Sequence, residues 1–250
     1  ISSCNTPRSD AQSVMYNKNE CITLGGHQIE VIDSVELYSF KTNSWSNLPN
    51  LPRKNVYFAT ASAQELGKVF VAGGQDSYGV HNMLYVLQKC DQDVDFEPDP
   101  APAPAPNDDN KDQNDSIFGL NEDKDAAKSE DQSPWKWVQL KDMIRYNYYC
   151  DGAYWDRYNK FLVLGGMRRY RNIDEYDVYK DEWHRLPKSN YDHGTGSICS
   201  IWNDYIVWIG DDRKMSNIEL FDRRMNKWIS RKIESESQPP IKKARIWQWI

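Results

Sequence analysis

A short apolar run closing on a glycine turn occurs four times along this chain, and the pattern that follows it repeats as well. The runs are CITLGG, closing at Gly25-Gly26; KVFVAGG, at Gly73-Gly74; KFLVLGG, at Gly165-Gly166; and DYIVWIGD, at Gly210-Asp211. Behind three of them an aromatic residue stands seven positions ahead of a tryptophan: Tyr38 and Trp45, Tyr176 and Trp183, Phe221 and Trp228. From tryptophan to the next glycine turn the steps are 28, 28 and 27 residues, taken from Trp45, Trp137 and Trp183. Self-similarity at a fixed step is the mark of a repeat architecture.

The second copy breaks the spacing. Tyr85 calls for a tryptophan at residue 92, but it arrives at Trp137, 45 residues late. The excess matches a compositional anomaly. Residues 88–134 carry fourteen Asp and Glu against four Lys, and they include PAPAPAP at 100–106. Alternating Pro-Ala favours extended polyproline II, and the acidic runs repel one another. Such a stretch cannot bury enough apolar surface to offset its ordering entropy. It reads as a disordered acidic insert between the third and fourth strands of one repeat. The chain then divides into 1–87 (the first repeat and part of the second), the insert 88–134, and 135–250. The insert alone is at −10, against a net of −6 for the whole, so the rest is weakly basic at +4.

With the insert set aside, the period is 45 to 48 residues. Apolar residues alternate with a period of two between turn residues, which indicates four short strands per unit rather than strand–helix alternation. A single four-stranded meander cannot cover both its faces, so the copies must stack. Radial stacking of such units gives a β-propeller. Ten Trp, fifteen Tyr and seven Phe supply the large apolar side chains to fill the wedges between units.

These marks resemble the Kelch repeat: a Gly-Gly closing the second strand, an aromatic on the third, and Trp followed by Leu-Pro on the fourth. They stand here as Gly25-Gly26, Tyr38, Trp45 and Leu48-Pro49, and again as Gly165-Gly166, Tyr176, Trp183 and Leu186-Pro187. Arg53 and Arg145 occupy the place of an arginine common after that segment. Gly210-Asp211 replaces the glycine pair in the fourth copy, and Lys141 stands where a proline would follow Leu140. The expected fold is all-β: a Kelch-type propeller of four four-stranded blades, with IKKARIWQWI at 241–250 as an extra terminal strand. The likeness of Pro7-Arg8 to Pro52-Arg53 places the first residues in a connection between blades, so the chain reads as part of a larger propeller of about six blades.

The glycines, motif aromatics and tryptophans are packing residues, so candidate sites lie on loops. In a meander the strand two-to-three loops and the inter-blade connections emerge at one end. That end holds Arg53, Arg145, Tyr146, Arg168, Arg169, Tyr170, Arg171, Arg213 and Lys214. Arginine and tyrosine dominate interface hot spots, so this is the expected partner-binding face, suited to an acidic protein ligand.

No catalytic, metal or cofactor site is expected. His27, His81, His184 and His193 fall in different repeats, and Cys4, Cys21, Cys90, Cys150 and Cys199 form no C-x-x-C pair, so metal ligation has little to work with. A surplus of +4 is a small footprint for a nucleic-acid backbone, and no apolar run reaches the ~20 residues that span a bilayer. Scattered, odd-numbered cysteines indicate free thiols in a reducing compartment, so the expected location is cytoplasmic. The Kelch resemblance implies a protein-interaction module, either a substrate adaptor of a cullin-type ubiquitin ligase or an actin-associated protein. Its enzymatic alternatives are the oxidases and sialic acid isomerases of Kelch-like form.

Overall fold

The computed structural model describes residues 2–90, 133–167, 170–193, 198–210 and 217–232. These residues form an all-β structure of four four-stranded antiparallel sheets with no α-helix. The first sheet comprises β1 (Gln12–Asn17), β2 (Glu20–Leu24), β3 (Val35–Ser39) and β4 (Ser44–Leu48). The second contains β5 (Ala59–Ala63) and β6 (Lys68–Ala72); a small hairpin follows, of β7 (Gln75–Asp76) and β8 (Gly79–Val80), then β9 (Leu84–Lys89) and β10 (Trp135–Leu140). The third has β11 (Cys150–Trp155), β12 (Lys160–Gly165), β13 (Ile173–Asp177) and β14 (Glu182–Arg185). The fourth has β15 (Ile198–Trp202), β16 (Tyr205–Ile209), β17 (Asn217–Asp222) and β18 (Lys227–Lys232). Each is a simple meander in sequence order.

The local chemistry accounts for the turns. Asn43, Asp181 and Asn226 take left-handed φ in the third-to-fourth hairpins, a conformation that Asn and Asp tolerate. The Tyr38 hydroxyl donates to Asn43 Oδ1 and that of Tyr176 to Asp181 Oδ1, both at 2.6 Å, so each third-strand tyrosine pins its own hairpin. The glycine pair is required where chain approaches chain. Gly166 has φ +109°, and a Cβ there would fall onto Asn147 Oδ1.

Three of the motif tryptophans link a sheet to the one before it, and Trp45 reaches the chain ahead of the first sheet. Indole N–H groups of Trp45, Trp137, Trp183 and Trp228 donate to the carbonyls of Ser2, Pro49, Lys141 and Pro187 at 2.7–3.0 Å. Lys141 therefore serves where Pro49 and Pro187 do, through its carbonyl, and its amide, which proline lacks, also donates to Asp181 Oδ1 at 3.0 Å. Three buried clusters lie between consecutive sheets, around Phe58 and Leu87, around Phe70 and Phe161, and around Trp155 and Trp208. Full burial of one such side chain contributes about 1.5–3 kcal/mol.

The first strands are neighbours in the order β1, β5, β11, β15, and together they line one cavity of about 430 Å³. Gly152 on β11 is what allows the closest approach: a Cβ there would lie 2.5 Å from the Thr60 amide nitrogen and carbonyl oxygen on β5.

Two details differ from the sequence expectation. The residue opposite Trp137 is Leu87, as Tyr38 is opposite Trp45 and Tyr176 opposite Trp183. Leu87, not Tyr85, therefore holds the third-strand motif position; Tyr85 sits half-buried opposite Gln139. The second sheet also extends into the window assigned to the insert, since β9 runs to Lys89 and the Cys90 amide donates to the Pro134 carbonyl at 2.7 Å. Residues 91–132 and the terminal IKKARIWQWI lie outside the described residues. No helix among the described residues is long and apolar enough to cross a membrane.

Candidate interaction face and first-strand cavity

Long loops gather at one end of the sheets because each inter-sheet connection is bonded to the loop between the second and third strands of the sheet it leaves. Leu51 and Asn55 amides donate to the carbonyls of Asp33 and Ile32; Met143 and Asn147 donate to those of Asn82 and His81; Ser189 and His193 donate to those of Arg171 and Tyr170. The same two-point attachment, four residues apart on the connection, occurs in three consecutive sheets. Among the described residues, tight hairpin turns lie at the opposite end, from which the connection between β9 and β10 also leaves.

Each connection also carries a polar side chain that reaches the glycine turn ahead. Arg8 donates to the Gly25 carbonyl at 2.8 Å, Asn55 to Gly73 at 2.8 Å and Asn147 to Gly165 at 2.9 Å, while His193 Nδ1 lies 2.5 Å from the Gly210 carbonyl. The counterpart of Arg8 is thus Asn55, rather than the Arg53 suggested by the shared Pro-Arg pair. Arg8 and His193 each meet a buried third-strand carboxylate as well, Glu36 at 2.9 Å and Glu219 at 2.8 Å.

The expected partner-binding residues have varied surroundings. Arg53 Nε donates to the buried carboxylate of Asp76 at 2.7 Å. Asp76 also accepts from the Tyr78 and Gly79 amides, closing the β7–β8 hairpin. Burial would raise the Asp76 carboxyl, but Arg53, the Tyr78 amide and neighbouring His81 outweigh it and hold it below its ordinary value. His81 is pushed down by its burial and by Arg53, against the pull of Asp76. Its Nε2 lies 3.5 Å from Asp76 without a hydrogen bond among the described residues. Arg53 is therefore largely neutralised within the fold, and exposed Lys54 is paired with Glu30 at 3.0 Å.

Arg171 is exposed and donates from Nε to the Ser189 carbonyl at 2.6 Å, which holds the guanidinium at the rim. Arg145 is half-buried and makes no ion pair among the described residues. Tyr170 is half-buried, with its hydroxyl 3.5 Å from Met167 Sδ. Tyr146 is 62% exposed. Arg168, Arg169, Arg213 and Lys214 lie outside the described residues. Apolar side chains stand out at the same end: Ile29 at 97% and Tyr78 at 90% exposure, with Ile144 beside Tyr146.

Where the chain enters the first strands, Tyr57 and Tyr149 stack with centroids 3.9 Å apart, and both have left-handed φ. For a bulky residue that conformation is a true outlier. Asp10, with φ +53°, precedes β1 as these tyrosines precede β5 and β11. The Tyr57 phenol is pushed up to about 12, first by its hydrogen bond with Tyr149, then by burial and by Asp10.

Sequence reasoning did not find Asp76 with His81, nor the cavity. The Asp-x-x-Gly turn at Asp76–Gly79 could have hinted at the first; for the second no local signal exists, because the lining residues come from four sheets. No protein-family model matches the chain.

Proposed function

We propose that the chain is a Kelch-type β-propeller module that captures a protein ligand at its connection-bearing end, as the substrate-recognition part of a cullin-type ubiquitin ligase in the cytoplasm. Support for the propeller comes from the order of the first strands around a common cavity, with each meander leading away from it. Support for the capture end comes from one observation above others. The long loops that emerge there are anchored by paired backbone bonds, and they hold Tyr78, Ile29, Ile144 and Tyr146 out in solvent. Rigid loops presenting aromatic and aliphatic side chains lose little entropy on binding. With Arg53 and Lys54 paired internally, acidic groups of the ligand would meet Arg145 and Arg171 while tyrosines provide the anchors.

Photo-crosslinking amino acids placed singly at Tyr78, Tyr146, Tyr179 and Trp202 test the assignment of the face. Capture of one protein from both Tyr78 and Tyr146, together with co-purification of a cullin, is the expected result. Crosslinks confined to Tyr179 and Trp202, in the tight turns of the other end, would sink it. Actin in place of a cullin would move the chain to the cytoskeletal reading.

A further inference from the structure

One carboxylate oxygen in the β7–β8 hairpin lies within reach of two side chains that can carry positive charge. Asp76 is buried, with its side chain 4% exposed, and its two oxygens have separate duties. Oδ1 accepts the Tyr78 and Gly79 amides at 2.7 and 3.1 Å, which forms the turn. Oδ2 accepts Arg53 Nε at 2.7 Å, and His81 Nε2 stands 3.5 Å from that same atom. The His81 side chain is 3% exposed, and its Nε2 is buried with no hydrogen-bond partner among the described residues. A buried nitrogen left unbonded beside an acceptor is costly, and here the acceptor is already taken by Arg53. The backbone fixes His81 on both sides: its amide donates to the Gly74 carbonyl at 2.8 Å, and its carbonyl accepts the Asn147 amide at 3.0 Å. Arg53 has a side chain 38% exposed and solvent to move into.

We propose that His81 is a proton-operated release for Arg53: once protonated, the imidazole becomes the partner of Asp76 Oδ2, and the guanidinium turns out into solvent. An imidazolium gives the carboxylate a charge-assisted hydrogen bond and repels the neighbouring guanidinium. Of the two cations, the buried ring must be paired, whereas the half-exposed guanidinium can recover its hydration. Arg53 from the connection and Asp76 from β7 are the charges acting on His81, and burial together with Arg53 holds it below its ordinary 6.5. Lys54, beside Arg53, is paired with Glu30. The connection bonded to the His81 carbonyl carries Lys141, Asp142 and Arg145; Asp142 acts on Tyr85 of β9, which burial also pushes up and which stays neutral. Asp76 is held below its ordinary 3.8, so it remains ionised while His81 titrates. The exchange of partners therefore falls below pH 6.5 and above pH 3.8. Its use would be to add a free cation to the capture end in acid and mask it at neutral pH. That use rests on the function proposed above; the exchange itself does not.

Nitrogen-15 NMR of the full chain, with no ligand present, tests the exchange. Between about pH 7.5 and 4.5 the His81 ring nitrogens should titrate with a midpoint below 6.5, and the Arg53 Nε–H signal should move from its bonded to its free position with the same midpoint. Arg171 Nε, bonded to the Ser189 carbonyl, should keep its position and serves as the internal reference. His81→Gln should hold Arg53 in its bonded position across the range, with the backbone amide signals of the sheets unchanged. A ring that does not titrate in this range, an Arg53 signal that stays fixed while His81 titrates, or the same movement in His81→Gln would each overturn the proposal. Shared titration in a chain that captures no protein would uphold the exchange and count only against the proposed function.

Discussion

His193 and Glu219 show how a buried charge can be used to hold a connection. The imidazole stacks on Trp208 at 4.0 Å, with one ring nitrogen against the Gly210 carbonyl and the other against Glu219. Glu219 also accepts from the Asn190 and Tyr191 amides and from Ser230 Oγ. Arg8 with Glu36 solves the same problem in the first sheet, where Glu36 accepts the Asn5 and Thr6 amides. Burial would raise the Glu219 carboxyl, but His193, the two amides and Ser230 together lower it to about 2. Its folded value lies below its unfolded one, so its stabilisation is complete above about pH 4.5 and is lost as pH falls toward 2. The unfolding free energy from urea titration should therefore drop over that window by an amount on the order of 2–4 kcal/mol, and Glu219→Gln should flatten the drop. His193→Ala leaves the buried Glu219 carboxylate without its imidazole hydrogen-bond partner and should cost about 3 kcal/mol. An equally steep acid limb in Glu219→Gln would show that other carboxylates govern it.

At the level of strands and turns, close approach is the governing constraint. Gly152→Ala drives a Cβ into both backbone groups of Thr60, so β5 and β11 must separate. Overpacking of this kind costs about 1–3 kcal/mol, which should lower Tm by several degrees in a scanning calorimeter. An unchanged Tm would mean that the two strands do not meet there. This scale also shows what the sequence could reveal. Glycine turns and tryptophans were legible because they act within one repeat at a fixed spacing. The register of β9 was not, because Tyr85 and Leu87 lie two apart on the same strand face and the insert removes the distance to Trp137 as a ruler. The Arg53–Asp76 pair and the lining of the cavity were hidden for another reason: their members are brought together from different loops or sheets by the stacking itself.

Across the whole molecule, stability is shared among inter-sheet clusters, while the two ends differ in character. Among the described residues one presents tight hairpins, reinforced by the bidentate Arg223–Glu175 pair beneath which Trp155 and Tyr158 lie. The other presents long anchored loops with exposed tyrosines. The proposed function assigns recognition to the second end, and hydrogen–deuterium exchange with the crosslinked partner bound tests that assignment most directly. The account predicts new protection in residues 26–34, 74–83, 142–148 and 188–193, with the hairpins at 40–43, 178–181 and 223–226 unchanged. Protection confined to those hairpins, with the long loops exchanging as in the free protein, would contradict it.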